Sequence, residues 1–198
     1  VSTSIKDSVL GNFMVPNLLD PYVYCNDFTD YLAGEWTIVS VGAGTNTIPA
    51  ALGGKIVLTT AAGGTDSQNI LKLPGTFSLV AGNQFWFVCN VSVAHIDSTL
   101  MFGMQPANAA PMVPVDGIFF KKTGASANID FVISNATAQT VLTAVTTLPA
   151  ATPTSFGFYY DGKADPTLYV YSSTAQVAAN VQTAFGQPYF IGGQCVAS

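Results

Sequence analysis

Residues 154–173 alternate apolar with small or polar side chains at a period of two, on both sides of a short polar turn. This period is typical of half-buried β-strands, and the Asp161-Gly162 step between the two runs is typical of a hairpin turn. Gly162 can adopt the positive φ that such a turn requires, and Pro166, which has no N–H to donate, falls in the loop. The segment therefore predicts a long hairpin that lies across one face of a β-sandwich.

The strongest single strand is predicted at residues 85–93. Its side chains divide into two sets that face opposite ways, namely Phe85, Phe87, Cys89, Val91 and Val93 on one face and Trp86, Val88, Asn90 and Ser92 on the other. The first set is uniformly apolar, which predicts that it faces the core. Cys89 is then a buried thiol that acts as a small hydrophobic side chain.

Further short runs of β-branched and aromatic residues, punctuated by glycines, predict the remaining strands. These runs are 37–41, 55–60, 69–73, 76–79, 99–104, 117–122, 129–134, 140–147, 175–178 and 189–193. No amphipathic helix interrupts them. Roughly a dozen strands without helices predict two packed antiparallel sheets, an all-β sandwich or jelly roll that comprises residues 31–198 as a single domain.

Residues 1–30 differ from the rest of the chain. They are rich in apolar side chains but lack clean alternation, and Pro16 and Pro21 exclude a continuous helix. We predict an extended N-terminal arm with more apolar surface than a free tail normally exposes. Two interpretations are open, because the arm can pack on its own domain or dock on a neighbouring subunit.

Charge is scarce along the whole chain. Charged residues make up 9% of its 198 residues, against a typical share of about 25%, and there is no arginine. Such a surface suits either a protein covered by neighbours in an assembly or an extracellular domain with a neutral polar exterior. The net charge of −5 and the scattered lysines argue against nucleic-acid binding, and no apolar run is long enough to span a membrane.

An ordered series of short motifs resembles a group of tailed-bacteriophage virion proteins. The series is GEWT, GGKIVLTT, AGNQFWF, DSTLMFGMQ, DGIFFKK at 116–122 and GFYYDGK at 157–163, and it runs from about Asn26 to about Gly193. The proteins that it resembles are head decoration or capsid-associated proteins. The resemblance implies a concanavalin A-like, laminin-G-like jelly roll for the sandwich.

The resemblance also implies a structural role on the outer surface of a phage capsid. The expected partner is the major capsid protein, the expected state is a homo-oligomer such as a dimer or trimer, and binding would stabilise the head. Candidate contact residues are apolar residues of the arm and of the proline-rich loop 105–115, chosen for their exposed apolar character: Phe13, Met14, Leu18, Leu19, Tyr22, Pro106, Pro111, Met112 and Pro114.

A lectin-like module on the virion surface is the alternative. Pyranose faces stack on aromatic rings, and the tryptophans and tyrosines of the predicted strands offer such rings, although side chains of this kind also serve in cores and interfaces. The rings considered are Trp36, Trp86, Tyr159, Tyr169 and Tyr171. Calcium is a further possibility for laminin-G-like domains, and Asp27, Asp30, Asp116 and Asp161 are the loop carboxylates considered for it. No EF-hand spacing accompanies them, so neither a metal nor a cofactor is predicted.

Catalysis is not predicted, although concanavalin-like folds also occur in glycosidases. Those enzymes need two carboxylates on one strand face, and this chain has a single glutamate, Glu35, without the Glu-x-Asp-x-x-Glu pattern. A catalytic triad needs a histidine, and the single histidine, His95, has no Gly-x-Ser-x-Gly motif beside it. We predict that His95 is an ordinary loop or strand-end residue.

Overall fold

The computed structural model describes residues 28, 34, 36–49, 55–60, 67–72, 82–106, 112–164, 167–172, 175–181 and 192–197. This part of the chain contains thirteen strands and no α-helix. They are β1 (Trp36–Val41), β2 (Thr45–Thr47), β3 (Val57–Thr59), β4 (Ser67–Lys72), β5 (Phe85–Val91), β6 (Leu100–Gln105), β7 (Gly117–Lys122), β8 (Asn128–Asn135), β9 (Ala138–Thr147), β10 (Thr154–Tyr160), β11 (Thr167–Ser172), β12 (Ala175–Val181) and β13 (Gly192–Ala197). No helix among the described residues is long and apolar enough to cross a membrane.

The strands form two main antiparallel sheets. The larger has seven strands in the order β1-β4-β13-β6-β7-β8-β9, and the smaller has four in the order β12-β11-β10-β5. A separate pair, β2 with β3, completes the set. The architecture is an antiparallel β-sandwich, as the alternation of apolar and polar residues predicts.

The core lies between the two sheets and is dominated by phenylalanine. The Phe120 ring on β7 lies 5.2 Å from that of Phe102 on β6 and 5.1 Å from that of Phe131 on β8, within the large sheet. From the small sheet, the rings of Phe156 and Phe158 on β10 approach Phe120 to 5.3 and 6.4 Å. Each fully buried phenylalanine contributes about 1.5–3 kcal/mol of hydrophobic stabilisation, so this cluster holds the sheets together.

The predicted hairpin is confirmed. Strands β10 and β11 pair in antiparallel register from Phe156 opposite Ser172 to Tyr160 opposite Leu168. Gly162 has a φ of +64°, and a Cβ there would lie 2.5 Å from the carbonyl oxygen of Asn83. Both its backbone conformation and its crowded position therefore require glycine.

The strand predicted at residues 85–93 is confirmed, but it ends at Val91, two residues earlier than predicted. Strand β5 pairs with β10 only as far as Val91, which faces Thr154. Beyond it, the carbonyl of Val93 accepts a hydrogen bond of 2.7 Å from the N–H of Ala151, in the turn before β10. Val93 is buried in the core, and Cys89, which is half-buried, packs against the same core, so both side chains point in the predicted direction. The Cys89 thiol is thus less buried than predicted.

The long hairpin of β8 and β9 extends further than predicted on both sides of its turn. Ala136 and Thr137 form that turn with φ values of +48° and +73°, which sequence patterns normally assign to glycine or asparagine. Two hydrogen bonds to a neighbouring loop hold this turn in place. The Asp116 carboxylate accepts a bond of 2.7 Å from the N–H of Ala136, and the Val115 carbonyl accepts one of 2.9 Å from the N–H of Thr137.

Several predictions lie outside the described residues. They include the arm over 1–27 with Phe13, Met14, Leu18, Leu19 and Tyr22, the strand predicted at 76–79, and Pro111. The strand predicted at 189–193 meets the described chain only at Gly192 and Gly193, where β13 begins. The short strand β2 was not predicted, because its three residues, Thr45–Thr47, are too few to show a period.

Lys122 occupies an unexpected place on the inner face of β7, on the same side as Phe120, and is 0% exposed. Its ammonium donates to the backbone carbonyls of Ile96, of Ser98 at 2.8 Å and of Gly124 at 2.7 Å. The first two carbonyls belong to the turn that leads from β5 in the small sheet to β6 in the large one. The third belongs to the β7–β8 turn, so the ammonium joins the two turns at this end of the sandwich.

Candidate functional site

The outer face of the four-stranded sheet carries an aromatic surface. Because side chains alternate along a strand, the residues that point away from the core on β5, β10 and β11 lie side by side. Tyr159 pairs with Trp86 on one side and with Tyr169 on the other, and Tyr171 lies two residues further along β11. We call Trp86, Tyr159, Tyr169 and Tyr171 the aromatic face.

The rings of the aromatic face are stacked on one another. The Trp86 and Tyr159 ring centroids lie 4.1 Å apart with planes at 20°, and those of Tyr159 and Tyr169 lie 5.9 Å apart at 23°. Tyr159, in the middle, is only 8% exposed, whereas Trp86, Tyr169 and Tyr171 are half-buried and keep part of their surface in solvent. Cross-strand aromatic pairs stabilise a sheet, and this stacking also restrains the rings before any ligand arrives.

Gly157 allows rings on either side of β10 to approach. It faces Val88 on β5 and Tyr171 on β11, and a Cβ at this position would lie 2.8 Å from the carbonyl oxygen of Phe87. Strands β5 and β11 are two inter-strand spacings apart, about 9.5 Å, yet the Trp86 and Tyr171 centroids are 6.4 Å apart. The two rings therefore lean toward each other over the strand that carries no side chain at Gly157.

A polar pair lies on the same face, further from the hairpin turn. Asn90 pairs with Ser155, and its Nδ2 donates a hydrogen bond of 3.2 Å to the serine Oγ. Asn90 is exposed and Ser155 is half-buried. The sequence placed Asn90 on the outer face, but it could not show that Ser155 lies beside it, because that requires the pairing of β5 with β10.

The hairpin turn beside the aromatic face is held by one carboxylate. Asp161 Oδ1 accepts bonds from the N–H groups of Thr167 at 2.9 Å and Lys163 at 3.3 Å, and Oδ2 lies 3.1 Å from Lys163 Nζ. Burial alone would raise the pKa of Asp161, but these bonds and the lysine outweigh it and hold the pKa below its usual value. Asp161 is thus an ionised structural residue of the turn.

The hydroxyls of Tyr159 and Tyr171 stay protonated at neutral pH. Burial, and then the Asp161 carboxylate, raise the pKa of Tyr159. Burial, and then Tyr169, raise the pKa of Tyr171. Each of these two hydroxyls can therefore both donate and accept a hydrogen bond, and neither adds a charge to the face.

The outer face of the large sheet is covered over β6, β7 and β8, in contrast. Met101, Phe119 and Val132 are buried there, and Met112 from the proline-rich loop packs against them. Gln105 is also buried on this side, and neither of its amide atoms has a hydrogen-bond partner in the described part of the chain. The open aromatic surface therefore belongs to the small sheet.

Of the predicted contact residues in the proline-rich loop, Pro106 and Met112 are half-buried and Pro114 is buried. The exposure expected of Pro114 was therefore wrong, and Met112 packs against the buried residues of the large sheet. The Pro114 carbonyl accepts a bond of 3.2 Å from Ser134 Oγ. Val113 and Val115, which were not selected from the sequence, are 69% and 48% exposed. A capsid-contact role for the selected residues stays a prediction.

The other candidates from the sequence do not assemble into a reactive site. His95 is exposed in the turn after β5, as predicted, and Glu35, Asp27 and Asp30 lie outside the described residues. The Asp116 carboxylate accepts a hydrogen bond from the β8–β9 turn. Within the described ranges, no group of three or more His, Cys, Asp or Glu side chains could hold a metal ion.

Trp36 lies apart from the aromatic face, on β1 of the large sheet, where its ring centroid is 5.7 Å from that of Phe28. The structure thus brings together the other rings considered as a sugar platform, namely Trp86, Tyr159, Tyr169 and Tyr171.

The chain is similar in fold to several carbohydrate-recognising and carbohydrate-cleaving proteins. The carbohydrate-recognition domain of Emp46p in its potassium-bound form matches with a TM-score of 0.57 at 12% identity, covering 87% of each chain. A β-glucanase of Bacillus licheniformis matches with a TM-score of 0.54 at 12% identity, over 86% of this chain and 81% of that one. The carbohydrate-binding module CBM66 of Bacillus subtilis matches with a TM-score of 0.50 at 14% identity, over 82% and 90%.

No protein-family model matches the chain, and no curated protein sequence does. At these low identities the structural matches establish the fold alone. The protein is therefore a concanavalin A-like jelly roll, which confirms the predicted fold class.

Proposed function

We propose that this protein is a carbohydrate-binding domain and that the aromatic face is its glycan-binding surface. The observation that carries the proposal is the row of stacked rings on an open sheet face. A pyranose presents an apolar C–H face and polar edges, so it pairs with an aromatic surface and leaves its hydroxyls for hydrogen bonds. Rings restrained by stacking lose little freedom when a ligand binds, which favours affinity.

Two further observations support the proposal. The chains with similar folds include a carbohydrate-recognition domain and a carbohydrate-binding module. The aromatic face is also uncharged, and its most exposed aliphatic neighbour, Val88, is 55% exposed without a core role. An exposed patch of contiguous apolar side chains on a soluble protein is often an interaction site.

We propose binding without hydrolysis. Retaining glycosidases hold two carboxyl groups about 5 Å apart, one of them as a nucleophile. In the described part of the chain, Asp116, Asp130 and Asp161 each accept a hydrogen bond from the chain's own backbone. Asp116 and Asp161 stabilise turns, and Asp130 stabilises the irregular pairing of β8 with β9 at Ala144. None of them belongs to the aromatic face.

A glycan array followed by titration calorimetry tests the proposal. The full chain is expected to bind a subset of glycans saturably, and Tyr171→Ala is expected to weaken that binding about tenfold, since a stacking contact is worth roughly 1–2 kcal/mol. Val141→Ala is the matched control, because Val141 is 43% exposed on the opposite sheet. Absence of binding on the array, or equal losses in both variants, would contradict the proposal.

Capsid decoration is the second candidate, and it comes from the resemblance to phage virion proteins. The described feature that favours it is the exposed Val113 and Val115 of the proline-rich loop, since neighbouring exposed apolar residues favour a protein contact. The expected partner remains the major capsid protein on the outer surface of the virion, and a homo-oligomer would gain from multivalent attachment.

Deleting residues 1–25 tests the capsid candidate. If the arm docks on the shell, the truncated chain should keep its circular-dichroism spectrum and thermal midpoint but no longer co-sediment with assembled capsids. Unchanged occupancy of the particles would show that the arm is not the attachment element.

A further inference from the structure

The outer face of the small sheet contains a shallow floor between the aromatic face and the Asn90–Ser155 pair. The floor is formed by Val88, which is 55% exposed, whereas Gly157, opposite it on β10, is buried. Trp86 borders the floor on one side, two residues before Val88 on β5. The polar pair borders it on the other side, two residues from Val88 and from Gly157 along their strands.

We propose that Asn90 and Ser155 form a polar subsite that binds hydroxyls of a neutral pyranose lying over Val88. This inference rests on the proposed glycan-binding function and assigns the hydrogen-bonding groups of that site. Two residues along a strand span about 6.6–6.8 Å, which is comparable with the width of a sugar ring and its substituents. A ring placed against Trp86 or Tyr171 therefore brings its edge hydroxyls to the polar pair.

The hydrogen-bonding capacity of the pair fits hydroxyl groups. After the 3.2 Å bond from Asn90 Nδ2 to Ser155 Oγ, Asn90 keeps an acceptor oxygen and a second N–H, and Ser155 keeps its own O–H. Sugar hydroxyls both donate and accept, so they can bond to all of these groups at once. The existing bond also orients both side chains before the ligand arrives.

The charges around this surface favour a neutral ligand. The side chains that line the outer face here, from Trp86 to Asn90 on β5 and from Ser155 to Tyr159 on β10, are all uncharged. The nearby cation at the hairpin turn, Lys163, is paired with Asp161 at 3.1 Å. An acidic sugar would have no unpaired cation to bind among these residues, whereas a neutral sugar does not need one.

Affinity electrophoresis and calorimetry with soluble neutral glucans and mannans, alongside polygalacturonate, test this assignment. Asn90→Ala and Ser155→Ala are each expected to weaken binding of the neutral ligand about fivefold, the equivalent of one hydrogen bond. Because the two side chains bond each other, the double variant should lose less than the product of the single losses. Gln139→Ala, an exposed polar residue on β9 of the other sheet, is the control and should bind as the wild type does.

The outcomes separate this inference from the proposed function. If Tyr171→Ala weakens binding while Asn90→Ala and Ser155→Ala bind normally, the polar subsite is wrong and the aromatic glycan site stands. Preference for polygalacturonate over every neutral polysaccharide would also overturn the inference. If no glycan binds at all, both the proposed glycan site and its polar subsite are wrong.

Discussion

Replacing Lys122 with methionine is expected to lower the free energy of unfolding by about 3–5 kcal/mol. The ammonium is fully buried, and its N–H groups donate to the carbonyls of Ile96, Ser98 and Gly124. Methionine fills a similar volume but leaves these carbonyls without their donor. The measurement is a urea titration followed by tryptophan fluorescence, in which the midpoint should fall with little change in slope.

Lys121→Met is the matched control, because Lys121 precedes Lys122 on the same strand but faces outward and is half-buried. Replacing Lys121 should lower the free energy of unfolding by no more than about 1 kcal/mol, as is usual for a lysine in contact with solvent. Equal destabilisation by the two substitutions would show that the carbonyl bonds of Lys122 contribute no more than a surface charge does.

The place of Lys122 shows where sequence patterns mislead. It follows Ile118 and Phe120 at a period of two, so the alternation indicated the inner face, but a lysine at the end of a strand normally reaches solvent. Burial lowers the pKa of Lys122, and the nearby Asp97 carboxylate opposes that shift. What makes burial tolerable is a set of backbone carbonyls from two turns, and no local pattern predicts that such carbonyls converge.

Local features of the fold were predictable because they depend on neighbouring residues. The directions of side chains on β5 and β10 and the positive φ of Gly162 all follow from period and turn chemistry. Sheet order was not predictable. Strand β13, from the end of the chain, lies between β4 and β6, so residues more than ninety positions apart pair in the large sheet, as with Val196 and Met101.

The residues of the candidate site likewise include some that local sequence patterns predict and some that depend on long-range strand pairing. Tyr159, Tyr169 and Tyr171 were predictable as neighbours, because a hairpin with a known turn sets their register. Trp86 and Asn90 enter the site only through the pairing of β5 with β10, which joins segments more than sixty residues apart, as in Asn90 with Ser155. The sequence therefore supplied the tyrosines and the outward direction of Trp86, but not the stack that joins them.

The similar folds and the aromatic face support the proposal in different ways. The fold is shared by binding domains and by a β-glucanase, so it does not by itself distinguish recognition from hydrolysis. The aromatic face and its uncharged surroundings have the chemistry that the proposed glycan recognition requires. Variants of that face are consequently the decisive test, and Trp86 is the ring that contacts both Tyr159 and Tyr171.

Replacing Trp86 with alanine is expected to reduce glycan affinity about thirtyfold or more, the equivalent of about 2 kcal/mol for a central aromatic contact. The indole stacks on Tyr159 at 4.1 Å and leans toward Tyr171 at 6.4 Å, so its loss removes one ring and releases two others. Trp86→Phe keeps a ring in place and should retain most of the affinity. Calorimetry on folded protein, checked by circular dichroism, measures both variants.

Trp36 provides the control for this prediction, because it is the other tryptophan of the chain and lies on β1 of the opposite sheet. Trp36→Phe should bind glycan as the wild type does, and in that variant all tryptophan fluorescence comes from Trp86. A sugar stacked on the indole must then change the emission wavelength with the same concentration dependence that calorimetry gives. Saturable binding without any change in that emission would place the glycan elsewhere on the protein, since a ligand on the aromatic face cannot avoid altering the environment of this ring.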